Sequence, residues 1–367
     1  MKYLFCFGTR PEVIKLAPVI KEMQQENLAP VLCVTGQHRE MLDQMLSVLD
    51  LSPDYDLDLM KAGQSLNSLS ASIFENFDSI LKKENPDVVL VQGDTTTATI
   101  IAQSAFHRKI KIAHVEAGLR TYQRYSPFPE EINRQLISRI ATWHFTPTLN
   151  ATQNLLKEGI EPENILQTGN TVVDALELVS NQISEEIPLP GLKADFYNYQ
   201  KKILVTGHRR ENFGKGMEEL CQALIEISKN KDFKIIFPVH LNPKTKLIVE
   251  KHLKGISNIN LLPPVNYTEM IWLIAHCDLI ISDSGGVQEE APTFKKPVLV
   301  TREFTERVEA VEAGFSILTG ANAENIVSHA LRLLKTPPDF SNISNPFGDG
   351  KAAERIVDFL ESQVSTG

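Results

Sequence analysis

The sequence predicts an α/β protein of two doubly wound, Rossmann-like domains, each a parallel sheet with helices on both faces. Three observations carry this. Short β-branched or apolar runs recur along the 367 residues, each closed by Gly, Asp, His or Thr and followed by an amphipathic helical pattern. Most of the runs are continuously apolar or β-branched, which marks strands covered on both faces. They also fall into two series of six, with a Pro-rich break at Glu185–Gly191 between them.

The first series reads Tyr3–Phe7, Val31–Thr35, Val88–Gln92, Ile110–Val115, Trp143–Thr146 and Ile165–Thr168. The second reads Ile203–Thr206, Lys234–Val239, Asn258–Leu262, Leu279–Ser282, Pro297–Thr301 and Phe315–Leu318. Both open alike, with Gly8-Thr9-Arg10-Pro11-Glu12 and Gly207-His208-Arg209-Arg210-Glu211 leading into helices. The expected domains are residues 1–168 and 169–350.

Composition narrows the partners. With 37 Lys plus Arg against 46 Asp plus Glu, the net charge of −9 counts against nucleic acid, while leaving room for a local cationic pocket on an acidic protein. Apolar residues at 42% and charged residues at 23% exclude a disordered chain. Cys6, Cys33, Cys221 and Cys277 are widely spaced and read as free thiols. The N-terminal apolar run is too short for a signal peptide, and no stretch approaches the ~20 residues of a membrane span. The expectation is a cytoplasmic protein with no membrane partner.

Polar residues cluster where the strands end, and in open α/β sheets ligands bind beyond those carboxyl ends. Two such domains facing across a cleft would bring their loops onto one ligand. Asp283-Ser284-Gly285-Gly286-Val287-Gln288-Glu289-Glu290 sets paired glycines between strand and helix, where backbone N–H groups suit phosphate. Ser284 adds a hydroxyl, and Glu290 is a candidate acceptor for a ribose diol. Arg10 and Lys15 form a second anion-binding candidate, with Pro11 suited to the first helical turn. His208-Arg209-Arg210 gathers donors at the matching loop of the second series.

Three carboxylates stand out. Asp94 follows Val91-Gln92-Gly93 and reads equally as an N-cap. Glu116 closes an apolar strand, where a carboxylate needs a partner or a task. Glu130 opens a helix and shares a face with Arg134, so an intrahelical ion pair is the bland alternative. No G-x-G-x-x-G follows a strand and no P-loop occurs, so a dinucleotide cofactor is not expected. Asp54-Tyr55-Asp56-Leu57-Asp58 imitates a metal loop, yet a solvated acidic connection is the better reading, and no metal is indicated.

These stretches, with Thr35-Gly36-Gln37-His38-Arg39, His114-Val115-Glu116-Ala117-Gly118-Leu119-Arg120, Pro129–Arg134 and Gly207–Gly214, resemble the non-hydrolysing UDP-N-acetylglucosamine 2-epimerases, in order from Lys2 to about Gly350. The resemblance implies a GT-B-like pair of domains, UDP held mainly by the second, and a last helix within residues 351–367 packing back on the first. It implies a homodimer that interconverts UDP-N-acetylglucosamine and UDP-N-acetylmannosamine through 2-acetamidoglucal for surface polysaccharide synthesis, with no cofactor. By position, Asp94, Glu116, Glu130 and His208 match the catalytic groups, with the sugar face served by each carboxylate left open. Arg10, Lys15, Arg134, Ser284, Gly285, Gly286, Glu290 and Arg307 match substrate contacts, and Val265 to Met270 matches the uracil-binding stretch. Glu40 and Gly63-Gln64 depart from the allosterically activated members. A hydrolysing epimerase and a GT-B glycosyltransferase are the competing readings. The first is disfavoured by Gly207–Asn212, the second by the lack of a basic or apolar acceptor stretch.

Overall fold

Apolar runs without alternation can persist as strands only where helices cover both faces, and the two series do this separately. The computed structural model describes the chain except for residues 37, 38, 62, 181–188, 190, 191, 193, 208–213 and 364–367. The chain divides into two compact units, Met1–Val179 with Phe347–Gly367, and Ser180–Pro346.

The first unit runs β1 (Tyr3–Phe7), α1 (Arg10–Gln25), β2 (Val31–Val34), α2 (Arg39–Val48), β3 (Tyr55–Asp56), α3 (Leu66–Glu84), β4 (Val88–Gln92), α4 (Thr96–His107), β5 (Lys111–Val115), α5 (Glu130–Ile140), β6 (Trp143–Thr146), α6 (Leu149–Lys157), β7 (Ile165–Gln167) and α7 (Thr171–Ser180). Its seven strands lie in the order β3-β2-β1-β4-β5-β6-β7, all parallel. Leu4 aligns with Val31 on one side and Val89 on the other, in a core with Cys33, Ile73, Phe77, Ile101 and Ile137. The strand order reverses between β1 and β4, so the loops leaving these strands diverge and open a crevice at the carboxyl edge.

Asp54, Asp56 and Asp58 are exposed, as the reading of a solvated acidic connection expects, but Tyr55–Asp56 within it forms an edge strand, β3. Tyr55 and Asp56 pair with Cys33 and Val34, and the Asp54 carboxylate accepts from the Leu32 N–H at 2.8 Å. Two residues are too short a run to show a strand pattern, and an edge strand tolerates the charges that hid it.

The second unit runs β8 (Lys201–Thr206), α8 (Lys215–Ile227), β9 (Phe233–Pro238), α9 (Pro243–Leu253), β10 (Ile259–Leu262), α10 (Tyr267–His276), β11 (Leu279–Ser282), α11 (Gly285–Glu290), β12 (Val298–Val300), α12 (Val308–Glu312), β13 (Ser316–Leu318) and α13 (Ala323–Lys335). Its parallel order, β10-β9-β8-β11-β12-β13, repeats the plan of the first, with the reversal between β8 and β11. Ile203, Val205, Leu224, Phe237, Ile281 and Leu299 form its core with Ile326 and Leu334 of α13.

The chain then rejoins the first unit through α14 (Ala352–Ser362), whose Phe359 stands edge-on to Trp143 and Phe145 with ring centroids 6.1 and 5.6 Å apart. Asn170 N–H donates to the Phe347 carbonyl at 2.7 Å, and Arg355 donates to the Thr168 carbonyl while pairing with Asp349. Residues 169–179 and 347–350 therefore belong with the first unit, contrary to the boundaries expected from sequence. The reason is burial: α7 carries Val172, Val173, Leu176 and Val179 into that unit's interior. Among the described residues, no helix is long and apolar enough to cross a membrane.

Asp174 lies at this rejoining point, buried, with its carboxylate accepting from the Ala353 N–H at 2.8 Å. Burial pushes its pKa up from 3.8 to about 6, against the pull of the Ala353 N–H. The folded chain thus holds this proton more tightly than the unfolded chain, and Asp174 lowers stability as pH rises through about 6. The melting temperature of the wild type relative to Asp174→Asn should rise by about 2–5 °C between pH 7.5 and pH 5. Thermal melts of both proteins across that range check this, and a constant difference would refute it.

Candidate active site

At the reversal of the first sheet, the loops after β1 and β4 are joined by one buried carboxylate. Glu12, 1% exposed, accepts from the Gly8 and Thr9 N–H groups at 2.9 and 2.8 Å and from the Thr95 hydroxyl at 2.6 Å. Its position three residues after Thr9 is the capping-box spacing, so the carboxylate that starts α1 also holds the start of α4. Burial raises the pKa of Glu12, and these hydrogen bonds oppose the rise. Arg10 lies between the residues so held, half-buried at the first position of α1.

Three residues on, Lys15 reaches Glu116. Its Nζ lies 2.6 Å from Glu116 Oε1, and both side chains are nearly buried, at 10% and 7% exposure. Gln92, the last residue of β4, donates its amide to Glu116 Oε2. Glu116 follows β5 with φ +65°, a conformation most side chains avoid, so its contacts hold the turn under strain. Two residues later Gly118, at φ +88°, passes so close to Ala151 that a Cβ would strike that residue's carbonyl. Gly118 is thereby excluded from carrying any side chain.

Asp94 is not the cap of α4. Thr95 caps it, accepting from the Ala98 N–H at 2.9 Å, which leaves the Asp94 carboxylate to accept from Arg134 Nε at 2.7 Å. Asn133 fixes the Asp94 backbone by donating to its carbonyl at 2.8 Å. Arg134 thus turns to Asp94, and on its other side to Glu131 at 3.4 Å, and not to the alternative partner Glu130. Glu130 is the first residue of α5 and half-buried.

Glu131 is 0% exposed and accepts from the Thr121 N–H at 2.8 Å, the Thr121 hydroxyl at 3.0 Å, the Tyr122 N–H at 3.2 Å and the Gln135 amide at 2.9 Å. Burial opposes its charge, but the Thr121 and Gln135 hydrogen bonds and the Arg134 charge outweigh it and hold its pKa below the ordinary value. His114, on β5 and fully buried, bonds through Nε2 to the Gly93 carbonyl at 2.8 Å, next to Asp94. A carbonyl only accepts, so this nitrogen carries the proton.

In the second unit the matching tie is smaller. Ser282 Oγ lies 2.6 Å from Thr206 Oγ1 and accepts from the Ser284 N–H at 2.9 Å, linking the end of β8 to the turn after β11. Ser284 caps α11, accepting from the Val287 N–H. A Cβ on Gly285 would lie 2.9 Å from Arg307 Cζ, so the guanidinium rests directly on this glycine. Arg307 also pairs with Glu289 at 2.8 Å and with Glu306, and Glu306 with Arg302 at 3.1 Å. Gly286 and the buried Glu290 complete the turn.

The first unit therefore gathers Arg10, Lys15, Asp94, Glu116, Glu130 and Arg134 at one carboxyl edge, and the second gathers Ser284, Gly285, Gly286, Glu290 and Arg307. Val265 and Met270 lie beyond β10, which β9 and β8 separate from β11 in sheet order. His208, with the rest of residues 208–213, falls outside the described residues, as do Gln37 and His38. Sequence reasoning gave no role to Gln92, Thr95, His114, Glu131 or Ser282. Gln92 carried the one signal available, a polar group ending an apolar strand.

Two Rossmann-like units of the same strand order, with ionisable groups at the carboxyl edge of one and a Ser-Gly-Gly turn in the other, define a two-domain α/β protein of the GT-B-like class. The crystal structure of the glycotransferase of kitacinnamycin shares this fold alone, at TM-score 0.67 and 9% identity over 99% of each chain. The family model described as UDP-N-acetylglucosamine 2-epimerase matches residues 21–361. The UDP-N-acetylglucosamine 2-epimerase of Campylobacter jejuni is 48% identical over 371 residues, covering 98% of this chain and 97% of that protein. The crystal structure of UDP-GlcNAc 2-epimerase from Neisseria meningitidis bound to UDP-GlcNAc matches at TM-score 0.91 and 43% identity, over 99% and 100% of the two chains. The chain belongs to the UDP-N-acetylglucosamine 2-epimerase family.

Burial, with lesser contributions from the Arg120 and Arg134 charges, lowers the pKa of His114 from 6.5 to about 4. It should stay neutral with the proton on Nε2 at pH 6, where an ordinary histidine is mostly protonated. Imidazole ¹⁵N NMR checks this, and a protonated His114 at pH 6 would contradict it.

Proposed function

We propose that the chain catalyses reversible, non-hydrolysing epimerisation at carbon 2 of UDP-N-acetylglucosamine, giving UDP-N-acetylmannosamine for surface polysaccharide synthesis. The observation that carries this reading is the set of ion-paired carboxylates at one sheet edge, Glu116 on Lys15 and Asp94 on Arg134, with Glu130 opening the helix that bears Arg134. Membership of the epimerase family and the UDP-GlcNAc complex of the Neisseria relative support the substrate.

The carbon 2 proton has no adjacent carbonyl to acidify it, so abstraction and return alone is a poor route. Elimination avoids the difficulty. A carboxylate takes the carbon 2 proton, the bond from carbon 1 to the diphosphate oxygen breaks, and the new double bond makes 2-acetamidoglucal. UDP leaves with the bonding pair, so cations and N–H donors at the diphosphate lower the barrier. Return of a proton to the opposite face of carbon 2, with UDP adding back at carbon 1, completes the epimerisation. Every step is redox-neutral and UDP is conserved.

In this reading Asp94, Glu116 and Glu130 supply acid and base, and His208 and Arg10 meet the diphosphate. Lys15 and Arg134 hold the carboxylates and contact the sugar. Ser284, Gly285, Gly286, Glu290 and Arg307 bind UDP in the second unit, and the Val265–Met270 stretch takes the uracil. Buried free thiols at all four cysteines suit a reducing cytoplasm, and the family resemblance points to a homodimer.

Proton NMR with UDP-N-acetylglucosamine in deuterated water should show UDP-N-acetylmannosamine carrying deuterium at carbon 2. Free N-acetylmannosamine would select the hydrolysing branch and sink the proposal. Asp94→Asn and Glu116→Gln should each lower kcat by about 10²–10⁴ while changing UDP affinity by at most about threefold. Turnover at the wild-type level in either variant would remove that residue from the catalytic set.

A further inference from the structure

Glu131 is adjacent to a proposed catalytic carboxylate, yet it is built for another task. It is 0% exposed, and five donors surround it: the Thr121 N–H and hydroxyl, the Tyr122 N–H, the Gln135 amide and Arg134. A carboxylate so enclosed has no lone pair left for a substrate proton. Successive helical residues also point in different directions, so Glu131 does not share the face of Glu130.

What it does hold is specific. Thr121 and Tyr122 belong to the loop that leaves Glu116, and Tyr122 sits at φ +56°, where a non-glycine residue needs external support. Two backbone N–H groups donated to one carboxylate give that support. On the helix, Arg134 offers Nη1 to Glu131 and Nε to Asp94, at 3.4 and 2.7 Å. The guanidinium is planar and rigid, so fixing one of its edges aims the other. Glu131 thus ties together the exit of the Glu116 loop, the first turn of α5 and the cation on Asp94. Its place in the first turn of α5 adds the attraction of the helix N-terminus for a negative charge.

We infer that Glu131 is a positioning residue for the epimerase reaction, holding Arg134 in register with Asp94 and fixing the Thr121–Tyr122 loop. This rests on the carbon 2 epimerisation proposed above. Deuterium incorporation by the wild type tests that reaction, and the variants below test Glu131.

Glu131→Gln keeps the size, removes the charge and turns one acceptor into a donor facing Tyr122 N–H and Gln135. It should lower kcat by about 10- to 100-fold, the range expected for small misplacement of a reacting group, with KM and the Kd for UDP within about threefold of wild type. Freed from Glu131, Arg134 is no longer aimed at Asp94, so the loss should fall on kcat and spare KM. A purely structural role would lower kcat and UDP affinity together. Thr121→Val removes a hydroxyl shared between Glu131 at 3.0 Å and the Ser126 carbonyl at 2.7 Å and should lower kcat by about two- to fivefold, which keeps the inference testable if Glu131→Gln does not fold. An unchanged kcat in folded variants, or an equal loss of kcat and UDP affinity, would each overturn it.

Discussion

A parallel sheet covered on both faces admits charge at the ends of its strands far more readily than along them, and the rest of this structure follows from that restriction. Along β1, β4 and the other inner strands the side chains are buried and mostly apolar. Ionisable groups that must act on a ligand are therefore carried by the carboxyl-end loops, and where the strand order reverses two of those loops diverge. Diverging loops must be held together, and each unit has its own tie. Glu12 spans the loops after β1 and β4, and Ser282 links β8 to the turn after β11. The same topology is thus fastened twice by different chemistry.

The ties explain why charge pairs so densely at the candidate site. Removing an ion from water costs several kcal/mol, and a partner at hydrogen-bond distance is needed to offset it. Lys15 with Glu116, Arg134 with Asp94 and Glu131, and Arg307 with Glu289 and Glu306 are such pairs. Replacing them with apolar residues would often cost a fold nothing, so their survival at the sheet edges points to function. The net charge of −9 says little about this, because each cation acts within a few ångströms of its partner.

Much of the fold was legible in sequence for a simple reason. Strands buried on both faces announce themselves as largely apolar or β-branched runs, and twelve of the thirteen strands among the described residues had such a run. β3 lacked one because its two residues are polar and at the edge. The unit boundary was misread because α7 follows the Gly169 turn and then packs backwards, a fact of tertiary burial that no local pattern carries. At the site, residue types were readable and pairings were not. Arg134 is four residues from Glu130, and that spacing predicts a pair on one helix. A longer-range carboxylate, Asp94, takes its Nε instead. Likewise Asp94 looked like a cap, but the next residue, Thr95, has the better geometry and leaves Asp94 to the site.

That displacement by one residue bears on chemistry. A capping carboxylate is committed to backbone N–H groups and is a poor candidate for proton transfer. Thr95 and Glu12 meet the backbone needs of α4 and α1, and Glu131 those of the loop before α5. In all three places one polar group holds the backbone beside another to which the proposed chemistry is assigned. The Asp94 carboxylate meets Arg134 and not the backbone of α4, because Thr95 holds that backbone. The proposed elimination and re-addition need acid and base fixed on a sugar while a diphosphate departs and returns, and this division of labour suits that demand. A loop that had to reorganise its own hydrogen bonds to free a carboxylate would do it less well.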